Sequence, residues 1–141
     1  MIILIYGMPG SGKTVLSKKL ISYSNENYDG DCDIFHADEI RSKLNRGDQS
    51  LEGKIKFAKI LRELAENSNK SHQIIDFVAP TKETREVIDA DLSIWVHTTD
   101  TSNYNRTNKI FNTEKFGNVY EFKNYDDNHM CDIWKLVQGW R

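Results

Sequence analysis

Residues 7–14 read Gly-Met-Pro-Gly-Ser-Gly-Lys-Thr, and no other stretch constrains the fold of this chain as much. The run fits the pattern G-x-x-x-x-G-K-[ST], which cradles phosphates when a strand precedes it and a helix follows. Both flanks are present. Ile2-Ile3-Leu4-Ile5-Tyr6 is a continuous apolar run of the kind a parallel strand buried on both faces requires. Val15 and Leu16, with Leu20 and Ile21, recur at helical spacing. The glycines admit backbone conformations closed to other residues, so successive N–H groups can point at a phosphate chain. The helix N-terminus adds partial positive charge. The expected nucleotide contacts are therefore Gly7, Pro9, Gly10, Ser11, Gly12, Lys13, Thr14 and Val15. Lys13 is placed to reach the β- and γ-phosphates of ATP, and the Thr14 hydroxyl to hold Mg²⁺.

With 141 residues, the chain has the length of one domain that buries a core without disulfides, and a single domain over 1–141 is expected. A formal net charge of -2 excludes a general attraction to nucleic acid or to an anionic membrane. Cys32 and Cys131 lie far apart with no metal-ligand spacing, which points to reduced thiols. The apolar run that ends at Gly7 is too short for a membrane span or a secretory segment and has no basic leader. The expected location is the cytoplasm.

Strand and helix patterns then alternate, which predicts a parallel sheet with helices on both faces. Residues 22–33 carry Asn25, Asn27, Asp29-Gly30 and Asp31 and read as a loop. A strand over 33–36 leads into a short helix over 37–44 with an acidic first turn, broken at 47–50. A longer helix over 51–67 carries Ile55, Ala58, Leu61 and Ala65 at helical spacing, flanked by Phe57 and Leu64. Strands follow over 73–78, 91–97 and 118–122, with a short helix over 82–88. The polar segment 98–117 is expected to hold a helix starting near Thr101 and to act as a lid. In the closing helix Met130, Ile133, Trp134 and Val137 form one apolar stripe. The predicted architecture is an α/β P-loop NTPase of the nucleoside-kinase kind, five parallel strands in the order 2-3-1-4-5.

In such a sheet the chemistry lies at the carboxyl ends of the strands. Asp38 stands three residues before Arg41, so both side chains share a helix face above the phosphate loop. Asp38 would orient an acceptor hydroxyl and take its proton or help hold Mg²⁺, and Arg41 would bind an anionic group of the acceptor bidentately. The alternative for this pair is a helix cap with a surface ion pair. Asp76, at the end of the third strand, is the second metal candidate beside Thr14; its alternative is a turn former. Arg106 and Lys109 lie three apart in the lid segment and would close over ATP, or else form a solvated charged face. Arg85 is a weaker candidate for the acceptor.

Asp38-Glu39-Ile40-Arg41-Ser42-Lys43-Leu44-Asn45 resembles the Asp-Asn-Ile-Arg segment of adenylyl-sulfate kinases, and Phe77-Val78-Ala79-Pro80 with Arg85 is similar to their Ile-Ser-Pro turn and following Arg. The likeness runs from Ile2 to the region of Lys109. It implies transfer of the ATP γ-phosphoryl group to the 3′-hydroxyl of adenylyl sulfate, with Asp38, Arg41, Phe77, Val78 and Arg85 on the substrate side. Ala79 stands where the family carries serine, so no phosphoserine forms there, and 46–50 departs from the family's substrate-contacting segment. Residues 7–14 and Asp38 to Arg41 also resemble polynucleotide 5′-hydroxyl kinases, although the chain shows no basic, aromatic channel for a strand end. A nucleotide-binding regulatory module without an acceptor is a third reading. The chain has no Asn-Lys-x-Asp motif to read guanine.

Overall fold

A computed structural model describes residues 1–44 and 50–139. The elements follow the chain as β1 (Ile2–Tyr6), α1 (Lys13–Asn27), β2 (Cys32–His36), α2 (Ala37–Lys43), α3 (Leu51–Glu66), β3 (His72–Asp76), α4 (Lys82–Ile88), β4 (Leu92–Val96), α5 (Asn105–Ile110), β5 (Val119–Phe122) and α6 (Asn128–Gln138). All strand pairings are parallel and the sheet order is β2-β3-β1-β4-β5, as expected. β1 is central and every one of its residues is buried. Alternation along it supplies two cores, because successive side chains point to opposite faces. Ile2, Leu4 and Tyr6 pack with Phe57, Leu61 and Ile88 of α3 and α4. Ile3 and Ile5 pack with Leu16 and Leu20 of α1 and with Ile133, Trp134 and Val137 of α6. Each fully buried aliphatic side chain contributes about 1.5–3 kcal/mol. Trp134, 1% exposed, also donates its indole N–H to the Leu20 carbonyl at 3.0 Å.

Three local expectations are corrected. Residues 22–27 are not loop but the last turns of α1, whose buried positions run Leu16, Leu20, Ser24 at i, i+4, i+8. The small Ser24 occupies the third of these positions, and the asparagines that read as turn formers lie on its exposed side. The buried stripe of α3 is rotated from the one expected: Gly53, Lys54 and Phe57 join Ala58, Leu61 and Ala65, while Leu64 is 38% exposed. α5 starts at Asn105 rather than near Thr101, because Asn108 Oδ1 accepts from the Ser102 N–H and hydroxyl and holds the preceding residues in a turn. The break expected over 47–50 falls outside the described residues except for Ser50, which caps α3 by accepting from the Gly53 N–H at 3.1 Å. Among the described residues no helix is long and apolar enough to cross a membrane.

Just past β4, His97 carries a measurable pH signature. Its Nδ1 lies 2.6 Å from Glu121 Oε2 and its Nε2 2.5 Å from Asp100 Oδ1, with the ring stacked on Trp95. Burial acts to lower its pKa, but the two carboxylates outweigh burial and hold it above the ordinary histidine value. A base with a raised folded pKa stabilises the fold fully below its unfolded value, and that contribution is lost as pH rises through the folded value. The gap in Tm between wild type and His97→Gln should be widest below about pH 6.5 and close at higher pH. Thermal unfolding across this range, with a gap independent of pH, would exclude a charged His97.

Candidate active site

The phosphate loop begins where β1 ends. Gly7 is fixed there by space, since a Cβ would stand 2.5 Å from the Val96 carbonyl oxygen, and Gly12, at φ 103°, starts α1 in a conformation side chains rarely adopt. Lys13 and Thr14 open the helix at its positive end. The Lys13 ammonium lies 3.1 Å from the Met8 carbonyl. Burial pushes its pKa below the ordinary lysine value, and Asp76 and then Asp38 act in the opposite direction.

β2 and β3 run side by side, and their register places His36 opposite Asp76 at the carboxyl end of the sheet. Asp76, 6% exposed, accepts on one oxygen from the Thr14 hydroxyl at 2.9 Å, and the same oxygen lies 2.9 Å from His36 Nδ1. A buried carboxylate and a hydroxyl so joined are hard oxygen donors of the kind Mg²⁺ takes. Among the described residues no group of three or more His, Cys, Asp or Glu could hold a metal ion by itself. The donor set fits Mg²⁺ with a nucleotide.

Two connected spaces open above these residues. A small cavity of about 160 Å³ is bounded by Lys13, Thr14, His36, Asp38, Asp76 and Phe77 among others. A larger one of about 940 Å³ is lined by Pro9, Gly10, Gly12, Lys13, Thr14 and Val15 of the phosphate loop, by Asp38, Arg41, Lys54, Phe77 and Val78, and by Tyr104, Arg106 and Thr107 of the α5 region. Arg41 Nη1 is 3.6 Å from Asp38 Oδ1, and its guanidinium lies over the Phe57 ring at 4.6 Å. That stacking keeps Arg41 only 23% exposed, while Asp38 is 97% exposed and free to meet a ligand.

Four expected site residues stand apart from the cavity lining. Gly7 opens the loop outside both linings, and Ser11 is buried with its carbonyl accepting from the Thr98 hydroxyl. Lys109, three residues on from Arg106 in α5, is exposed and lies outside the lining that Arg106 and Thr107 reach. Arg85 is 2% exposed, lies over the Tyr6 ring at 4.3 Å and lines neither cavity.

The sequence reading passed over His36, Lys54 and Tyr104. For Lys54 a signal existed: Lys54, Ala58, Leu61 and Ala65 share the spacing of a buried helix face, which ordinarily excludes lysine. Burial first, then Arg41 and Arg106, push its pKa below the ordinary value, and all three cationic residues line the same cavity.

A parallel sheet in this order with its phosphate loop after the central strand defines a P-loop kinase fold. The model of the Adenylylsulphate kinase family matches residues 1–129, and the chain belongs to that family. It is an ATP-dependent phosphotransferase. Among solved structures, an APS kinase of Mycobacterium tuberculosis in complex with AMPPNP and APS superposes with a TM-score of 0.77 at 15% identity, over 98% of this chain and 97% of that one. Thymidylate kinase of Ehrlichia chaffeensis (0.61, 20% identity, 98% of each chain) and shikimate kinase of Acinetobacter baumannii in complex with shikimate (0.60, 14%, 97% and 92%) share the fold. No curated protein matches this chain.

Proposed function

We propose that the chain transfers the γ-phosphoryl group of ATP to the 3′-hydroxyl of adenylyl sulfate. The observation that carries this reading is the larger cavity of about 940 Å³, whose lining brings phosphate-loop residues together with Asp38, Arg41 and Lys54. In this reading Lys13 draws charge from the transferring phosphoryl group. Asp38 accepts the proton of the attacking hydroxyl as its oxygen bonds to the γ-phosphorus, and ADP departs with the electron pair of the broken bond. Arg41 and Lys54 hold the anionic part of the acceptor beside Phe77 and Val78, and Arg106 closes over the nucleotide. Thr14 and Asp76 would hold Mg²⁺, which would supply neutralisation of phosphate charge. The chain's place in the Adenylylsulphate kinase family supports adenylyl sulfate ahead of a nucleic-acid end, as does the net charge of -2.

The test is transfer of label from γ-labelled ATP, with Mg²⁺, to adenylyl sulfate, nucleosides, nucleotides and 5′-hydroxyl oligonucleotides in parallel. Label on adenylyl sulfate alone is the expected result. Label on oligonucleotides alone, with a KM that climbs steeply with salt, would replace the acceptor, since each phosphate contact on a single strand adds about 0.7 to the salt slope. ATP turnover that no acceptor raises would indicate a regulatory module. Two variants probe the roles. Arg41→Lys should raise KM for adenylyl sulfate with kcat nearly kept, because a point charge cannot reproduce the two-pronged guanidinium. Asp76→Asn should raise the Mg²⁺ concentration for half-maximal rate, read from rate against free Mg²⁺; an unchanged requirement would remove Asp76 from the metal site.

A further inference from the structure

Arg85 lies away from the cavity, yet it spans two segments that border it. Its Nε donates to the Ala79 carbonyl at 2.9 Å and its Nη1 to the Glu114 carbonyl at 3.0 Å. The guanidinium lies between the rings of Tyr6, 4.3 Å away, and Phe111, 5.0 Å away. Ala79 is on the turn that follows the cavity-lining Phe77 and Val78, and at φ 43° it holds a left-handed conformation. A residue with a Cβ persists there when its surroundings hold it. Glu114 and Phe111 belong to the stretch after α5, which has no helix or strand of its own. Its further backbone tie reaches the same turn, from the Asn112 N–H to the Pro80 carbonyl at 2.7 Å. The opposite end of segment 98–117 is fastened to the phosphate loop by the Thr98 hydroxyl on the Ser11 carbonyl at 2.8 Å. The lid is thus hooked at one end to the nucleotide loop and at the other to the acceptor wall.

We propose that Arg85 is a positioning residue that joins the lid to the turn after β3, so that nucleotide binding under α5 also sets the acceptor wall at Phe77 and Val78. Two features favour this over an inert core contact. A guanidinium with two donors committed to carbonyls 35 residues apart in the chain, at 79 and 114, fixes their separation in a way a lone packing contact does not. Besides the guanidinium, the Asn112 N–H to Pro80 carbonyl bond and the Lys82–Glu114 ion pair at 3.4 Å also join the two segments, but only Arg85 reaches the Ala79 carbonyl itself. The inference rests on the preceding reading of the nucleotide site and lid, but not on adenylyl sulfate as the acceptor.

Amide hydrogen exchange tests it with the whole chain, a non-hydrolysable ATP analogue and Mg²⁺, and no acceptor. In wild type the analogue should slow exchange both in peptides covering α5 and in those covering residues 77–81, by at least about 5-fold, the low end of ordinary coupling between sites. In Arg85→Gln the α5 response should remain and the response at 77–81 should vanish. Arg85→Lys keeps a buried cation against Tyr6 but cannot reach both carbonyls, and should give the same loss if the glutamine variant does not fold. A purely structural arginine would instead raise exchange throughout both variants, with and without analogue, and leave the ratio of the two responses as in wild type. That outcome would overturn the proposal, as would a wild-type turn that ignores the nucleotide while α5 responds. Absence of any α5 response would overturn the nucleotide-site reading along with it. Transfer of phosphate to a different acceptor would leave it standing.

Discussion

Lys13→Ala should reduce turnover by about 10²–10³-fold while leaving the fold intact, the loss seen when one preorganised donor is removed from a developing negative charge. The size follows from where the ammonium sits. It is half-buried at the N-terminus of α1, partial desolvation pushes its pKa down, and it rests 3.1 Å from a loop carbonyl that phosphate would displace. A partly desolvated charge is less screened than one in bulk water. The fold should survive, because alanine is the stronger helix former and Lys13 makes no core contact. The measurement is kcat with labelled ATP beside Tm. A folded variant turning over at the wild-type rate would remove Lys13 from the chemistry.

How much of this was legible in the sequence depended on whether the governing physics was local. The phosphate loop, β1 and the sheet order follow from a short motif between an apolar run and a helix pattern, and these the structure bears out. The end of α1 was not legible, because its asparagines and Ser24 have loop propensity and are held helical by packing of the same helix against α6 and the sheet. Lys54 was hidden by its type: a lysine on a helix reads as solvated unless its position on the buried stripe is weighed more heavily than its charge. Arg85 reads as a weak acceptor candidate from its place nine residues after Asp76 and from the resemblance, while the seven-residue α4 turns it inward over Tyr6. His36 became visible only with strand register, which sets it opposite Asp76 although 40 residues separate the two in the chain.

Asp38→Asn should lower kcat by about 10²–10⁴-fold with little change in ATP affinity, the range for a lost general base. Two carboxylates border the site, and their surroundings give them different work. Asp76 is buried and already bonded to Thr14 and His36, which suits holding an ion in place and leaves it poorly placed to meet a mobile hydroxyl. Asp38 is almost fully exposed at the start of α2, with one partner at 3.6 Å, and it borders both cavities. An acceptor can reach it without breaking an existing network. The amide of asparagine keeps the shape and the contact with the acceptor but cannot take its proton, so kcat should fall while KM for the acceptor stays near the wild-type value. Steady-state kinetics with both substrates varied, together with a binding measurement for a non-hydrolysable ATP analogue, reads these quantities separately. Should Asp38→Asn instead raise the Mg²⁺ requirement while Asp76→Asn leaves it unchanged, the roles of the two carboxylates are exchanged, and the proton must go to a group other than Asp38.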